Sequence, residues 1–160
     1  MPLTLVQLEL PQLEALQTDP TQLDGVPVVG GALPPQFILD GAASALKEGS
    51  LPLWFSPFLF VEGSLPRAVG SGGFKGAPVN GRVEIGYGVA EEYRGRCIAT
   101  KAVSELVSLA FLQANVVAVL AETATDNSPS QRVVERAGFR RTGQRDAGED
   151  GVVCRWLLVR

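Results

Sequence analysis

Arg82-Val-Glu-Ile-Gly-Tyr-Gly-Val89, followed by Ala90-Glu-Glu-Tyr-Arg-Gly-Arg-Cys97 and Ile98-Ala-Thr-Lys-Ala-Val-Ser-Glu-Leu-Val-Ser-Leu-Ala110, is the stretch on which the fold turns. Its first part alternates with period two. Val83, Ile85, Tyr87 and Val89 fall on one face, and Arg82, Glu84, Gly86 and Gly88 on the other, the pattern of a strand. Its last part has helical spacing. Ala99, Ala102, Val103, Leu106 and Ala110 share one side, and Lys101, Ser104, Glu105 and Ser108 the other. Between them lies a short turn holding Arg94, Gly95 and Arg96. A strand that runs through such a turn into a helix gathers free N–H groups and the positive end of the helix dipole at one point. Two arginines beside that point strengthen the case for an anionic ligand, a phosphate above all.

Outward from this centre the chain reads as alternating strands and helices. Toward the N-terminus, Leu3 to Leu8 suits a strand and Pro11 to Leu23 a helix broken near Pro20. Pro34-Pro35 precedes a helix from about Gln36 to Lys47, which Gly49-Ser50 ends. Trp54 to Val61 reads as a strand made irregular by Pro57, and Arg67 to Phe74 as a glycine-weakened one. Asn80-Gly81 is a hairpin-turn signal. On the C-terminal side, Val116 to Thr123 is a buried strand by composition, completing a β–α–β unit with a parallel or splayed strand pair. Ser128 suits a helix cap, with Pro129 at the first position, Gln131 completing a capping box and Gly138 at the exit. Phe139 to Arg145 and Val152 to Val159 form a closing hairpin around Asp146 to Gly151.

Two tempting phosphate motifs fail on inspection. Gly70 to Gly76 lacks the Gly-Lys-Ser/Thr ending of a Walker loop and leads into Pro78 and Asn80-Gly81, not a helix. Gly86-x-Gly88 sits inside a strand, and Glu91 stands where a dinucleotide fingerprint needs its third glycine.

The 160 residues suffice for one domain, spanning 1–160, with a sizeable core. A hydrophobic content of 46% with 19% charged residues is that of a globular chain. No apolar run is long enough for a membrane span, and Met1 to Leu10 lacks the basic start of a secretory signal. Two cysteines, Cys97 and Cys154, make neither a disulfide framework nor a metal site, so the expected compartment is the reducing cytoplasm. A net charge of −3 argues against a nucleic-acid partner. The absence of histidine excludes His-based triads and disfavours a zinc site.

The central turn also carries a family resemblance. Tyr93-Arg94-Gly95-Arg96-Cys97-Ile98-Ala99-Thr100 resembles the acetyl-CoA signature Gln/Arg-x-x-Gly-x-Gly/Ala of the GNAT superfamily of N-acetyltransferases. Arg94 and Ala99 fill its ends, and Cys97 stands in place of the middle glycine. Glu84-Ile85-Gly86-Tyr87 is similar to the branch that contains the ribosomal-protein N-terminal acetyltransferases. Asn127-Ser128-Pro129-Ser130, with Val133, Glu135, Gly138 and Phe139, is similar to the second motif of that branch. The resemblance implies an α/β fold with a mixed, mostly antiparallel sheet, its central parallel strands splayed and helices flanking it. It implies acetyl-CoA as acetyl donor, no metal, an amine acceptor held under the N-terminal helices, and compatibility with a homodimer.

The same resemblance distributes roles. Backbone N–H groups from Gly95 through Arg96, Cys97, Ile98 and Ala99 to Thr100 would hold the pyrophosphate, with charge from Arg94 and from Arg96, for which a solvated surface position is an equal alternative. Gly88 and Val89 would line the pantetheine arm, the Val89 N–H polarising the thioester carbonyl, and Asn127 would contact the arm. Glu84 and Glu122 compete as the base. The tyrosine that many members use as acid falls at Val134, which bears no proton to give, leaving Ser130 as the hydroxyl facing the CoA sulfur. An acceptor of ordinary pKa about 8, such as a protein α-amino group, needs a weaker base than a lysine at about 10.4. Cys97 adds a Cβ where glycine permits close approach, and ligand binding there calls for its side chain to turn away. The rival expectation is a non-catalytic acyl-CoA-binding module.

Overall fold

The structure, a computed structural model, describes residues 2–160. Its frame is a sheet of seven strands built from β1 (Leu3–Gln7), β4 (Phe58–Glu62), β5 (Arg67–Phe74), β6 (Arg82–Val89), β7 (Ala118–Ala124), β8 (Arg140–Asp146) and β9 (Val152–Val159). Their order across the sheet is β1-β4-β5-β6-β7-β9-β8. Every neighbouring pair is antiparallel except β6 and β7, which run parallel. Helix α4 (Ile98–Phe111) makes the crossover between them. This is the mixed, mostly antiparallel sheet that the resemblance led us to expect. Val79-Asn80-Gly81-Arg82 closes a tight turn into β6, with Asn80 and Gly81 at φ 52° and 76°, the left-handed pair that such a hairpin turn demands.

The two faces of the sheet carry separate cores. On one, α4 buries Ile98, Ala102, Val103, Leu106 and Ala110 against Phe60, Val83, Ile85 and Val119. Helix α5 (Ser128–Arg136) adds Val134 to the same cluster. On the other face, α1 (Leu10–Thr18) and α2 (Gln36–Lys47) pack Leu13, Leu16, Leu39 and Ala42 onto Leu59 and Ala68. The glycines of β5 serve this packing. A Cβ at Gly72 would stand 2.8 Å from the Phe60 ring and 2.8 Å from the Gly86 carbonyl, so the strand is bare where an aromatic side chain fills the space.

The structure departs from the sequence expectations at four places. The first helix ends at Thr18, and Gln22–Leu23 (β2) instead pairs with Val26–Pro27 (β3), a small hairpin turned by Asp24 and Gly25 at positive φ. Trp54 and Phe55 belong to a one-turn helix, α3 (Pro52–Phe55), because Pro52 opens a helix readily; the strand begins only after Pro57. The β7 strand starts at Ala118, not Val116, whose side chain is nonetheless buried in the core. Asn127, not Ser128, caps α5, accepting the Ser130 N–H at 3.1 Å. Gln131 correspondingly does not close a capping box on Ser128; its side-chain amide donates to the carbonyls of Ala124 and Thr125.

Candidate active site

The parallel pair β6–β7 is joined for only part of its length. Arg82 pairs with Ala118, Val83 with Val119 and Glu84 with Leu120, and there the ladder stops. The other edge of β6 stays paired with β5 as far as Val89. Lys75 donates to the Glu84 carbonyl and Ala90 to that of Val69, so even-numbered residues of this strand address β5. By alternation, the N–H and C=O of Tyr87 and the N–H of Val89 point into the gap that opens toward β7, while the Val89 carbonyl accepts from the Arg94 side chain. A buried sheet rarely leaves such groups without a partner, and the gap forms a slot able to take an extended polar ligand.

At the mouth of this slot the chain turns into α4. Gly95 and Cys97 both adopt the left-handed conformation, at φ 77° and 62°. Cys97 is the N-cap residue and is exposed. Its backbone angle explains why a glycine suits this position. The first intrahelical bond is made by the Lys101 N–H to the Cys97 carbonyl, so the N–H groups of Ile98, Ala99 and Thr100 precede the helical ladder. Among the described residues, no backbone carbonyl accepts from Gly95, Arg96 or Cys97 either. Six consecutive donors at the positive end of a fourteen-residue helix make an anion cradle. The two arginines are partly committed elsewhere. Arg94 Nε donates to the Val89 carbonyl at 3.2 Å, pinning the turn to the strand end. The Arg96 guanidinium lies 4.8 Å over the Tyr93 ring, and the Tyr93 hydroxyl accepts from Arg67 at 3.0 Å.

The far wall of the slot is α5. Ser130 Oγ lies 2.8 Å from the Tyr87 hydroxyl, a bond that reaches from β6 to α5 beyond the end of the β6–β7 ladder. Burial pushes the Tyr87 phenol above its ordinary pKa, an effect the Ser130 hydrogen bond partly offsets. Val134 is fully buried in the helix-covered core and presents nothing to the slot. Asn127 uses its side-chain oxygen to cap α5, which leaves its amide group exposed. Sequence reasoning put Tyr87 on the apolar face with Val83, Ile85 and Val89 and assigned it no chemistry. The available signal was a hydroxyl on an otherwise aliphatic strand face between two glycines.

The competing glutamates sit on the sheet face opposite α4. Glu84 is paired with Lys75 at 2.8 Å and keeps some solvent contact. Glu122 receives a two-pronged ion pair from Arg145, with the second oxygen at 2.8 Å, and Arg155 stands 4.0 Å away. The Arg145 hydrogen bond holds the Glu122 carboxyl below the usual glutamate range. A carboxylate so stabilised is a poor proton acceptor.

A cavity of about 510 Å³ opens over Gly86 and Gly88 on that same face. Pro34, Pro35 and Ile38 wall it from the start of α2, and Phe55 and Phe74 from the other side. Lys75 crosses its floor: a Cβ at Gly86 would come within 3.2 Å of the Lys75 side chain. The slot and this cavity thus meet at residues 86–88 of β6, one from each side. The start of the Gln36–Lys47 helix, which the resemblance implies lies over the acceptor, lines this cavity through Ile38. That Ile38 and Phe55 line this cavity was not legible, since neither stands in a motif.

Comparison with known proteins accords with this geometry. The family model for the acetyltransferase (GNAT) domain matches residues 35–140. A putative ribosomal N-acetyltransferase, YdaF of Bacillus subtilis, is 43% identical over 68 residues, 41% of this chain and 36% of the relative. The uncharacterized N-acetyltransferase YjdG of the same organism is 30% identical over 86 residues, 53% of this chain and 51% of the relative. The matched stretch thus spans little more than a third of the first curated relative. Among solved structures, the aminoglycoside acetyltransferase AAC(6')-Ib in complex with paromomycin and acetyl-CoA superimposes with a TM-score of 0.68 at 22% identity, covering 100% of this chain and 94% of that one. The ribosomal-protein-S5-alanine acetyltransferase of Vibrio fischeri does so with a TM-score of 0.63 at 18% identity, covering 78% and 69%. At these identities the structural likeness speaks for the fold, while the family model spans most of the chain: this protein belongs to the GNAT acetyltransferase family.

Proposed function

We propose that the protein is an acetyl-CoA-dependent N-acetyltransferase that acetylates a primary amine, a protein N-terminus or a small molecule, by direct transfer within a ternary complex. The observation that carries this reading is the meeting of two unfilled features. The edge of β6 left without a strand partner at Tyr87 and the Val89 N–H leads, across the turn at Glu91–Tyr93, to the free N–H groups of residues 95–100. A ligand with an extended amide-bearing arm and a pyrophosphate fits both at once. Acetyl-CoA supplies the acyl thioester; the chain supplies position, charge and proton handling.

In this reading the N–H groups of Gly95, Arg96, Cys97, Ile98, Ala99 and Thr100 bind the pyrophosphate. Arg94 holds the turn against the strand, and Arg96 adds positive charge from its perch on Tyr93. Gly88 keeps the strand bare, and the Val89 N–H stabilises the negative charge that develops on the carbonyl oxygen. Asn127 contacts the arm through its amide. Glu84, five residues from Val89 along the strand, takes the amine proton through intervening water as the C–N bond forms. Its competitor Glu122 we assign to the ion pair with Arg145. As the C–S bond breaks, Ser130 donates a hydrogen bond to the leaving sulfur while accepting one from Tyr87, whose burial keeps it protonated. Two free cysteines, one of them exposed, suit a reducing cytoplasm. A homodimer is compatible with the resemblance, with the outermost strand β8, exposed at every residue, as an available edge.

One observation favours a second reading, a non-catalytic acyl-CoA-binding module: both glutamates are engaged by cations. The experiment that separates the two combines thermal shift with turnover. Saturation at a hundredfold over the dissociation constant adds about 2.7 kcal/mol and several degrees under either reading. Only the enzyme also releases thiol when an amine is added. Absence of a shift with acetyl-CoA removes both.

A further inference from the structure

We infer that the acceptor is a small amine with a single positive charge and an apolar, aromatic or aliphatic body, not a polycation. The inference rests on the acetyltransferase reading above and deepens it by naming the substrate class of its second site. The cavity that meets the slot at residues 86–88 is walled by Pro34, Pro35, Ile38, Phe55 and Phe74. Among the described residues lining it, Lys75 bears the one charge, and that charge is positive. Among the described residues no carboxylate lines it. Glu84 stands outside that lining and is reached through its pair with Lys75. One ammonium can therefore be received beside Glu84, in competition with the lysine. Each further ammonium of a polyamine or an aminoglycoside would lose its water among prolines and aromatic rings with no anion in exchange. Its approach would also be opposed by Lys75. A volume of about 510 Å³ is within the range of sites for small organic ligands, and the rigid proline pair gives it a fixed wall.

Binding and turnover are read separately. Trp54 packs edge-on against Phe74, ring centroids 5.0 Å apart, so its fluorescence reports on the cavity wall. We titrate the full chain with 4-phenylbutylamine, spermidine and kanamycin, then measure kcat/KM for each with acetyl-CoA. The expected result is saturable quenching by the monoamine and a kcat/KM at least about 100-fold above those of the polycations. Equal or better binding and turnover of a polycation overturns the inference, as does no response of Trp54 to the monoamine. Thiol release absent for every amine, with quenching intact, counts against the enzymatic reading instead and leaves the cavity's selectivity standing on the binding data. Ile38→Glu supplies the missing anion at a wall position 41% exposed, where folding is not at stake. This variant should narrow the monoamine preference about tenfold by admitting a second ammonium; an unchanged ratio in a folded variant contradicts the charge argument.

Discussion

The Tyr87 hydroxyl and Ser130 Oγ lie 2.8 Å apart, joining β6 to α5 beyond the last rung of the β6–β7 ladder. The resemblance puts the family's usual tyrosine at Val134, which is buried in the core and has no proton to give. If the two hydroxyls act as one donor to the leaving sulfur, Tyr87→Phe and Ser130→Ala should each lower kcat about 10- to 100-fold, with acetyl-CoA binding kept. The double variant should be little worse than either alone, because residues acting as a unit are not additive. Pre-steady-state and steady-state thiol assays read both. Since burial raises the phenol's pKa, its proton is retained at neutral pH and released only as pH rises past the ordinary phenol value of about 10.

Glu84 and Glu122 should separate cleanly by substitution. Glu84→Gln is expected to lower kcat about 100-fold at pH 7. The deficit should shrink at higher pH, as the acceptor loses its own proton without help. Glu122→Gln is expected to leave kcat within about threefold, since Arg145 already holds that carboxylate in its ionised form. A pH–rate profile of each variant is the check.

Glu122 instead has a signature in stability. Its pKa is lowered in the folded state, chiefly by the Arg145 hydrogen bond. Its contribution is therefore complete above the ordinary glutamate value of about 4.3. It is lost as pH falls below that value and through the lowered one. Glu122→Gln should thus reduce the melting temperature at pH 7 and converge on the original protein in acid. Thermal unfolding at several pH values tests the direction.

Cys97 occupies a left-handed backbone position at φ 62°. Such a position costs a side-chain-bearing residue about 1–2 kcal/mol, against which glycine's extra unfolded freedom costs about 0.5–1 kcal/mol. Cys97→Gly should accordingly be neutral to stabilising by up to about 1.5 kcal/mol. It should also tighten acetyl-CoA binding, since no Cβ then stands in the cradle. Chemical denaturation and calorimetric titration measure the two effects.

How much of this was legible in the sequence follows from the range of the interactions involved. The strand Arg82–Val89, the Asn80-Gly81 turn and the helices 36–47 and 98–111 are written in local periodicity and turn chemistry, and they appear where the pattern put them. The misplacements arose where a local preference met a neighbour. Pro52 drew Trp54 and Phe55 into a helical turn ahead of Pro57, and Asn127 took the cap that Ser128 also suits. The site divides similarly. The cradle at 95–100 is contiguous and was visible as a motif. The Tyr87–Ser130 bond spans 43 positions, the Glu122–Arg145 pair 23, and the cavity wall joins Pro34 to Phe74. No local pattern encodes such meetings; only the folded sheet produces them.

The most direct test of the central claim is the stoichiometry of amine-dependent thiol release from acetyl-CoA, with the acetylated amine quantified by mass spectrometry. The account predicts steady turnover, one thiol for each N-acetyl product, abolished when the amine is omitted and diminished in Glu84→Gln. Acetyl-CoA that binds and raises the melting temperature, yet gives no amine-dependent thiol with 4-phenylbutylamine, spermidine, kanamycin or an N-terminal peptide, would contradict it and leave a binding module in its place.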